Sequence, residues 1–232
     1  MKSLIFLPWK AQAIHESNIE WQTRRLGGLK VINQSPDAWC ISGQVGAEWG
    51  FGNLHCEDDI IIKCPFSVGD EVYIKEKYYR LGCWRMNGFT KTGRPHWVFI
   101  RLTNDILFED SPPATVCHGR SEPGWYKRPS LFLPADLART VVTITDIRAQ
   151  RVQDISEKDA IAEGLVYNAF WDMWESPLHP GSLIDWYKTA FKQLWDSIHG
   201  EGSWERNDWV WKYSFIRRDY ETTESHRDTS SY

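Results

Sequence analysis

The sequence predicts an α+β fold, a mixed β-barrel with flanking helices and a long loop-rich insertion. Three observations predict it. The run Asp154-Ile-Ser-Glu-Lys-Asp-Ala-Ile-Ala-Glu-Gly164 reads as a short acidic helix closed by a glycine. The run Leu194-Trp-Asp-Ser-Ile-His-Gly200 ends an amphipathic helix, and Asn207-Asp-Trp-Val-Trp-Lys-Tyr-Ser-Phe215 beyond it reads as a terminal strand. Residues 140–147 supply a strand before both helices. A strand, two helices and a closing strand is a plan in which helices plug the side of a small barrel.

The elements follow in chain order. Residues 8–20 carry a weak apolar face at Ala11, Ala13 and Ile14 and predict a first helix, ending before Trp21-Gln-Thr-Arg-Arg25. Residues 26–64 hold several glycines with scattered Trp and Cys and no sustained period, so residues 36–63 read as a loosely built insertion. Residues 71–76 alternate, with Val72 and Ile74 against Glu71, Tyr73 and Lys75, as a half-buried strand does. Residues 96–101 form another candidate strand, and the Pro-, Gly- and Ser-rich residues 109–130 a surface loop. Ser156 and Asp159 form an N-cap pair for the acidic helix, and Gly164 terminates it. Leu183, Ile184, Tyr187, Ala190, Phe191, Leu194, Trp195 and Ile198 share the stripe of the last helix. Trp209, Trp211, Tyr213 and Phe215 share one face of the closing strand. The polar residues 218–232 read as a disordered tail, so the predicted organisation is one domain over residues 1–217.

Composition narrows the function classes. With 232 residues, 42% of them hydrophobic, the chain can bury a core of its own. A net charge of −4 argues against a general polyanion binder, because sequence-independent affinity comes from neutralising phosphates. No apolar run reaches the roughly 20 residues of a membrane span. The short apolar start has no small-residue cleavage site after it, so no signal peptide is expected. Five cysteines, an odd count, fit reduced thiols and a cytoplasmic setting. Cys40, His55, Cys56 and Cys64 fall in one stretch, but their spacing does not repeat a Cys-x-x-Cys pair, and neither a metal nor a cofactor is expected. Fourteen Trp residues offer flat faces for packing or for stacking on bases.

Together with Thr23-Arg24-Arg25, the two C-terminal blocks resemble the ASCH domain, a PUA-like barrel associated with RNA and nucleosides, and most of all the long ASCH proteins of bacteriophages and prophages. The resemblance spans residues 1–35 and 64–217 and implies a cleft lined by a Lys-Thr-x-Thr-x-Arg segment and a glutamate. Small amidohydrolases with this domain remove an acetyl group from cytidine with a lysine, a threonine, an arginine and a glutamate. Thr23 matches the second threonine, Arg25 (or Arg24, if the register slips) the arginine, and Glu163 the glutamate. The lysine is not matched: Glu20 stands in its place and Trp21 replaces the first threonine.

The resemblance therefore implies binding of a nucleobase, nucleotide or single-stranded RNA between Thr23, Arg24, Arg25 and Glu163, with Trp21 and Trp204 as further ligand contacts. Lys127 and Arg128 join Arg24, Arg25 and Lys30 as local cations for phosphates. An enzyme of this type, a modified-nucleoside amidohydrolase or a metal-independent ribonuclease, would use Glu163 and Thr23, with Lys10 or Lys30 as the nearest replacement for the lysine. Without a positioned lysine, hydrolysis of acetylated cytidine is expected to be weak or absent. A third reading, binding of a host protein, needs exposed aromatics in residues 36–56.

Overall fold

The computed structural model describes residues 1–55, 57, 59–120 and 122–218. It is a mixed α+β fold dominated by strands. A five-stranded sheet forms the body, from β1 (Lys2–Ile5), β2 (Trp21–Arg25), β6 (Glu71–Lys75), β10 (Val141–Arg151) and β14 (Trp209–Arg217), in the order β1-β6-β10-β14-β2. Only β1 and β6 run parallel; the other pairs are antiparallel. Hydrogen bonding does not close the sheet, and β1 and β2 are its two edges. Helix α1 (Pro8–Glu16) connects these edges in sequence. Its chain enters at Pro8, whose missing N–H costs nothing in a first turn.

Strand β14 is central because both of its faces are buried. Trp209, Trp211, Tyr213 and Phe215 enter one core with Phe6, Val72, Ile74, Val142 and Ile144. Val210, on the opposite face, enters a second core under α2 (Glu157–Glu163) and α3 (Tyr187–His199). Three smaller strands, β11 (Val166–Asn168), β12 (Met173–Glu175) and β13 (Leu183–Ile184), edge that second core through Trp174. Leu183 and Ile184 thus belong to β13, not to the last helix, which begins only at Tyr187.

Two stretches read as loops are sheets. The insertion forms a meander of β3 (Trp39–Val45), β4 (Glu48–Asn53) and β5 (Asp59–Lys63). Trp49 and Phe51 of β4 turn inward, and Ile60 and Ile62 of β5 pack against the same core. Phe51 meets Trp209 at 5.4 Å between ring centroids and Trp49 meets Trp211 at 5.6 Å, both edge-on. The glycines that obscured the period, Gly50 and Gly52, sit where a Cβ would meet Ser42 and Asp59 side chains across the meander. Within residues 109–130, β9 (Gly124–Arg128) pairs with the root of a long hairpin, β7 (Tyr78–Phe89) and β8 (Pro95–Phe108). Of the expected tail, Arg218 is fixed by an ion pair to Glu71 at 2.6 Å, and residues 219–232 lie outside the described residues. Among the described residues no helix is long and apolar enough to cross a membrane.

Because Phe51 is fully buried between the meander and β14, Phe51→Ala should lower the unfolding free energy by about 3–5 kcal/mol. Urea unfolding should show this loss in one cooperative transition. A loss confined to an early separate transition would mean that the meander is not part of the core.

Candidate functional site

The gap between the two sheet edges is a cavity of about 280 Å³, walled by the end of β1, by α1, β2 and α3, and by Glu163 at the end of α2. Strand β2 explains how opposite faces of a strand reach one site. Trp21, Thr23 and Arg25 lie opposite Phe215, Tyr213 and Trp211 of β14, on the inner face. Gln22 and Arg24 lie opposite Ser214 and Lys212, on the face turned toward the helices. At an edge strand both faces border the same opening, and Thr23, Arg24 and Arg25 all line it.

Glu163 owes its position to the ends of α2. Ser156 and Asp159 form a reciprocal capping box at the start. Gly164 closes the helix in the left-handed region at φ +111, where a Cβ would also lie 2.6 Å from the Trp9 ring. Glu163 is therefore held on the last turn, beside Trp9 and β2. A carboxylate there faces the negative end of the helix dipole, so it needs cations.

Two cations meet it. Lys10 Nζ donates to Glu163 Oε2 at 2.6 Å, and Arg24 Nη1 donates to Oε1 at 3.0 Å. Lys10 also donates to the Gln22 carbonyl at 2.6 Å. Arg24 Nη2 lies 3.2 Å from Asp159, whose other oxygen is 3.4 Å from Lys212. Three cations thus share two carboxylates, leaving one positive charge in excess. Burial, the largest influence on Lys10, pushes its ammonium below the ordinary 10.5 against the pull of Glu163. Burial works against ionisation of Asp159 too, but Arg24 and Lys212 outweigh it and hold that carboxyl below its usual range.

Arg25 closes the seam. Its Nη2 donates to the Ile5 carbonyl at 2.6 Å, and its guanidinium lies 4.8 Å from the Phe6 ring centre. The far wall is apolar. Phe191, Leu194, Trp195 and Ile198 of α3 fall at helical spacing and face the cavity. Among the described residues, five buried donors on cavity-lining side chains have no hydrogen-bond acceptor: the indole nitrogens of Trp9 and Trp195, the Nε atoms of Arg24 and Arg25, and Arg24 Nη2, whose contact with Asp159 is an ion pair only. Thr23 is buried at the same wall, and no hydrogen bond claims its hydroxyl among the described residues.

The structure brings together Thr23, Arg24, Arg25 and Glu163, and adds Lys10 from α1. Two aromatic contacts expected at the site are elsewhere. Trp21 is packed in the sheet core and its indole N–H donates to Ser17 at 2.8 Å. Trp204 packs edge-on against Phe191 at 6.0 Å in the second core, where its backbone N–H donates to Asp196 to cap the turn after α3. The space it would have filled in the cavity is taken by Trp9 and Trp195. Glu20, at the position of the unmatched lysine, accepts from Thr145 on the exposed surface, and Lys30 is exposed outside the cavity. Lys127 is paired with Glu109, and Arg128 lies 4.4 Å from the Phe99 ring centre, so neither is a free phosphate contact. Of the cysteine group, Cys40 is exposed, Cys64 is buried against the Tyr213 hydroxyl at 3.5 Å, and Cys56 lies outside the described residues. Among the described residues no cluster of three or more His, Cys, Asp or Glu is placed to hold a metal ion.

Asp159, Lys212 and the cavity-facing side of α3 escaped the sequence reading. The α3 stripe was visible as a period, but a period does not tell a core wall from a cavity wall. Comparison with family models, with curated proteins and with solved structures gives no match.

Removing one member of this buried network should be costly in a graded way. Glu163→Gln takes the carboxylate from between two cations and should lower stability by about 3–5 kcal/mol. Lys10→Met leaves Glu163 paired with Arg24 and should cost less, about 1.5–3 kcal/mol. Folded Lys10 holds its proton less tightly than the unfolded chain does, so the unfolded state binds more protons between the two pKa values. Stability should therefore rise with pH through the window below 10.5, and Lys10→Met should flatten that rise in urea unfolding measured across pH.

Proposed function

We propose that the cavity binds a single nucleobase or nucleoside, free or at an unpaired position of an RNA strand, in a PUA-like barrel of the ASCH type in the cytoplasm. One observation carries the reading: an apolar, indole-walled cavity of about 280 Å³ is lined by side chains with unpaired donors and by Lys10, Arg24, Arg25 and Lys77 against the single carboxylate of Glu163. Such a cavity favours a flat apolar body edged with acceptors, which describes a base with its carbonyl and ring-nitrogen atoms. Thr23 and the free Nε atoms of Arg24 and Arg25 would meet those acceptors, and Trp9 and Trp195 would flank the ring. Paired bases cannot enter a cleft of this size, so an unpaired base is required. Titration calorimetry with nucleosides should show binding that Arg25→Ala weakens about tenfold or more, the weight of a charge-assisted hydrogen bond. Arg148→Ala, an exposed side chain paired with Asp146, should leave binding unchanged. Equal effects of the two changes would exclude the cavity as the binding site.

A second reading, hydrolysis of an acyl amide on the base, is favoured by Lys10. The ammonium that β2 does not supply comes instead from α1, 2.6 Å from Glu163 and with its proton loosened by burial. In this reading Glu163 takes a proton from water as the hydroxyl adds to the acyl carbon. Lys10 delivers a proton to the departing amino nitrogen, the C–N bond breaks, and a carboxylic acid and a free amine result. Wild type should then release acetate from acetylated cytidine, and Lys10→Met should slow the release by about 10²–10⁴-fold. Binding without release by the wild type would leave the site a receptor for nucleosides.

A further inference from the structure

The β7–β8 hairpin has a use the cavity does not explain. Residues 77–104 contain no Asp or Glu and six Lys and Arg, in a chain whose net charge is −4. β9 supports only the root of the hairpin, opposite Tyr78 to Gly82. Beyond that, Cys83 to Phe89 and Pro95 to Ile100 continue as a two-stranded ribbon with no third strand, an arrangement of marginal stability in water by itself. The ribbon extends about 20 Å at the usual rise of a strand.

Its two faces differ. Trp84 lies opposite Phe99 and Met86 opposite Trp97, which makes one face aromatic, and Arg101 continues it toward the root. Gly82 permits this packing: a Cβ there would fall 2.3 Å from the Phe99 ring. Arg128 and Arg120 lie over these rings, 5.0 Å from Trp84 and 5.6 Å from Trp97, which shows that the face accepts planar cationic partners. Arg85 is on the other face, and Lys91 and Arg94 flank the turn, next to Phe89, which is 66% exposed. Arg85, Lys91, Arg94 and Arg101 are exposed, and among the described residues none of them is in an ion pair. Lys77, directly before β7, and Ser130, just after β9, line the cavity, so the ribbon is rooted at the cavity mouth.

We propose that this ribbon is a docking arm for a single-stranded nucleic acid, its cations on the phosphates and its aromatic face and tip stacking on bases. Charge complementarity selects the occupant, since an acid-free projection on an acidic protein attracts a polyanion and repels no part of it. Partly exposed rings select a single strand, because unpaired bases present faces and a duplex does not. The inference extends the nucleobase reading of the cavity from one base to the strand that carries it.

The test replaces Arg85, Lys91, Arg94 and Arg101 together by Gln and, separately, only Lys91 and Arg94 at the turn. Binding of labelled single-stranded RNA, single-stranded DNA and duplex is read by fluorescence anisotropy across salt, with nucleoside titration alongside. The wild type should prefer either single strand to duplex. The fourfold variant should bind at least tenfold more weakly at low salt, and its salt slope should shrink by about 2–3, near 0.7 for each phosphate the arm no longer neutralises. The turn variant should show about half of that reduction in slope, with the melting temperature of both variants unchanged. Nucleoside binding should stay the same. Unchanged strand affinity in the fourfold variant, or equal binding of duplex, overturns the arm. Absence of nucleoside binding in the cavity with arm-dependent strand binding intact would instead overturn only the cavity reading.

Discussion

Glu163 is where the fold and the site depend on one another. It draws Lys10 of α1 and Arg24 of β2 onto the last turn of α2, and through Arg24 and Asp159 it reaches Lys212 on β14. Four elements from three distant parts of the sequence are thereby joined. A network of this kind is weak evidence for stability, since desolvation of its charges offsets much of their attraction. What it does secure is geometry. Each charge has its partner in this arrangement, and the seam itself is bridged by Arg25 of β2, which donates to the Ile5 carbonyl of β1.

The placement of Lys10 shows how a buried charge pair is assembled from elements far apart in the sequence. An ammonium beside a carboxylate needs a distance of under about 3 Å, not a particular strand. Helix α1 joins the two edges of the seam, so a side chain one turn into it reaches Glu163 as readily as one from β2 would. Trp21 of β2 is packed in the sheet core, where its indole N–H donates to Ser17.

Charge is divided between two regions with different roles. Of the cavity's cations, Lys10 and Arg24 are buried and committed to Glu163, Arg25 bonds the Ile5 carbonyl, and Lys77 is exposed at the mouth. On the β7–β8 ribbon the cations are exposed and outside any ion pair among the described residues, where they act at a distance set by the screening length of the solution. The overall charge of −4 hides this division, because a sum over the chain carries no information about position.

The sequence by itself determined the elements whose signals are local. The cap pair Ser156 and Asp159 with the stop at Gly164 delimit α2 because hydrogen bonding and backbone freedom act within a few residues. The alternation of Trp209, Trp211, Tyr213 and Phe215 marked the core face of β14 for the same reason. Thr23, Arg24, Arg25 and Glu163, with Lys10 among the spare cations, are singled out not by a local signal but by a resemblance to a family pattern. The tertiary structure decided what depends on partners far along the chain. Trp49 and Phe51 become core only against β14, so their strands, interrupted by Gly50 and Gly52, looked like loop. Trp204 caps a turn because Asp196 is there to receive it, and Trp195 faces a cavity because α3 lies across the open seam. Lys10 becomes the partner of Glu163 across 153 residues of chain, a pairing that neither residue's neighbours encode.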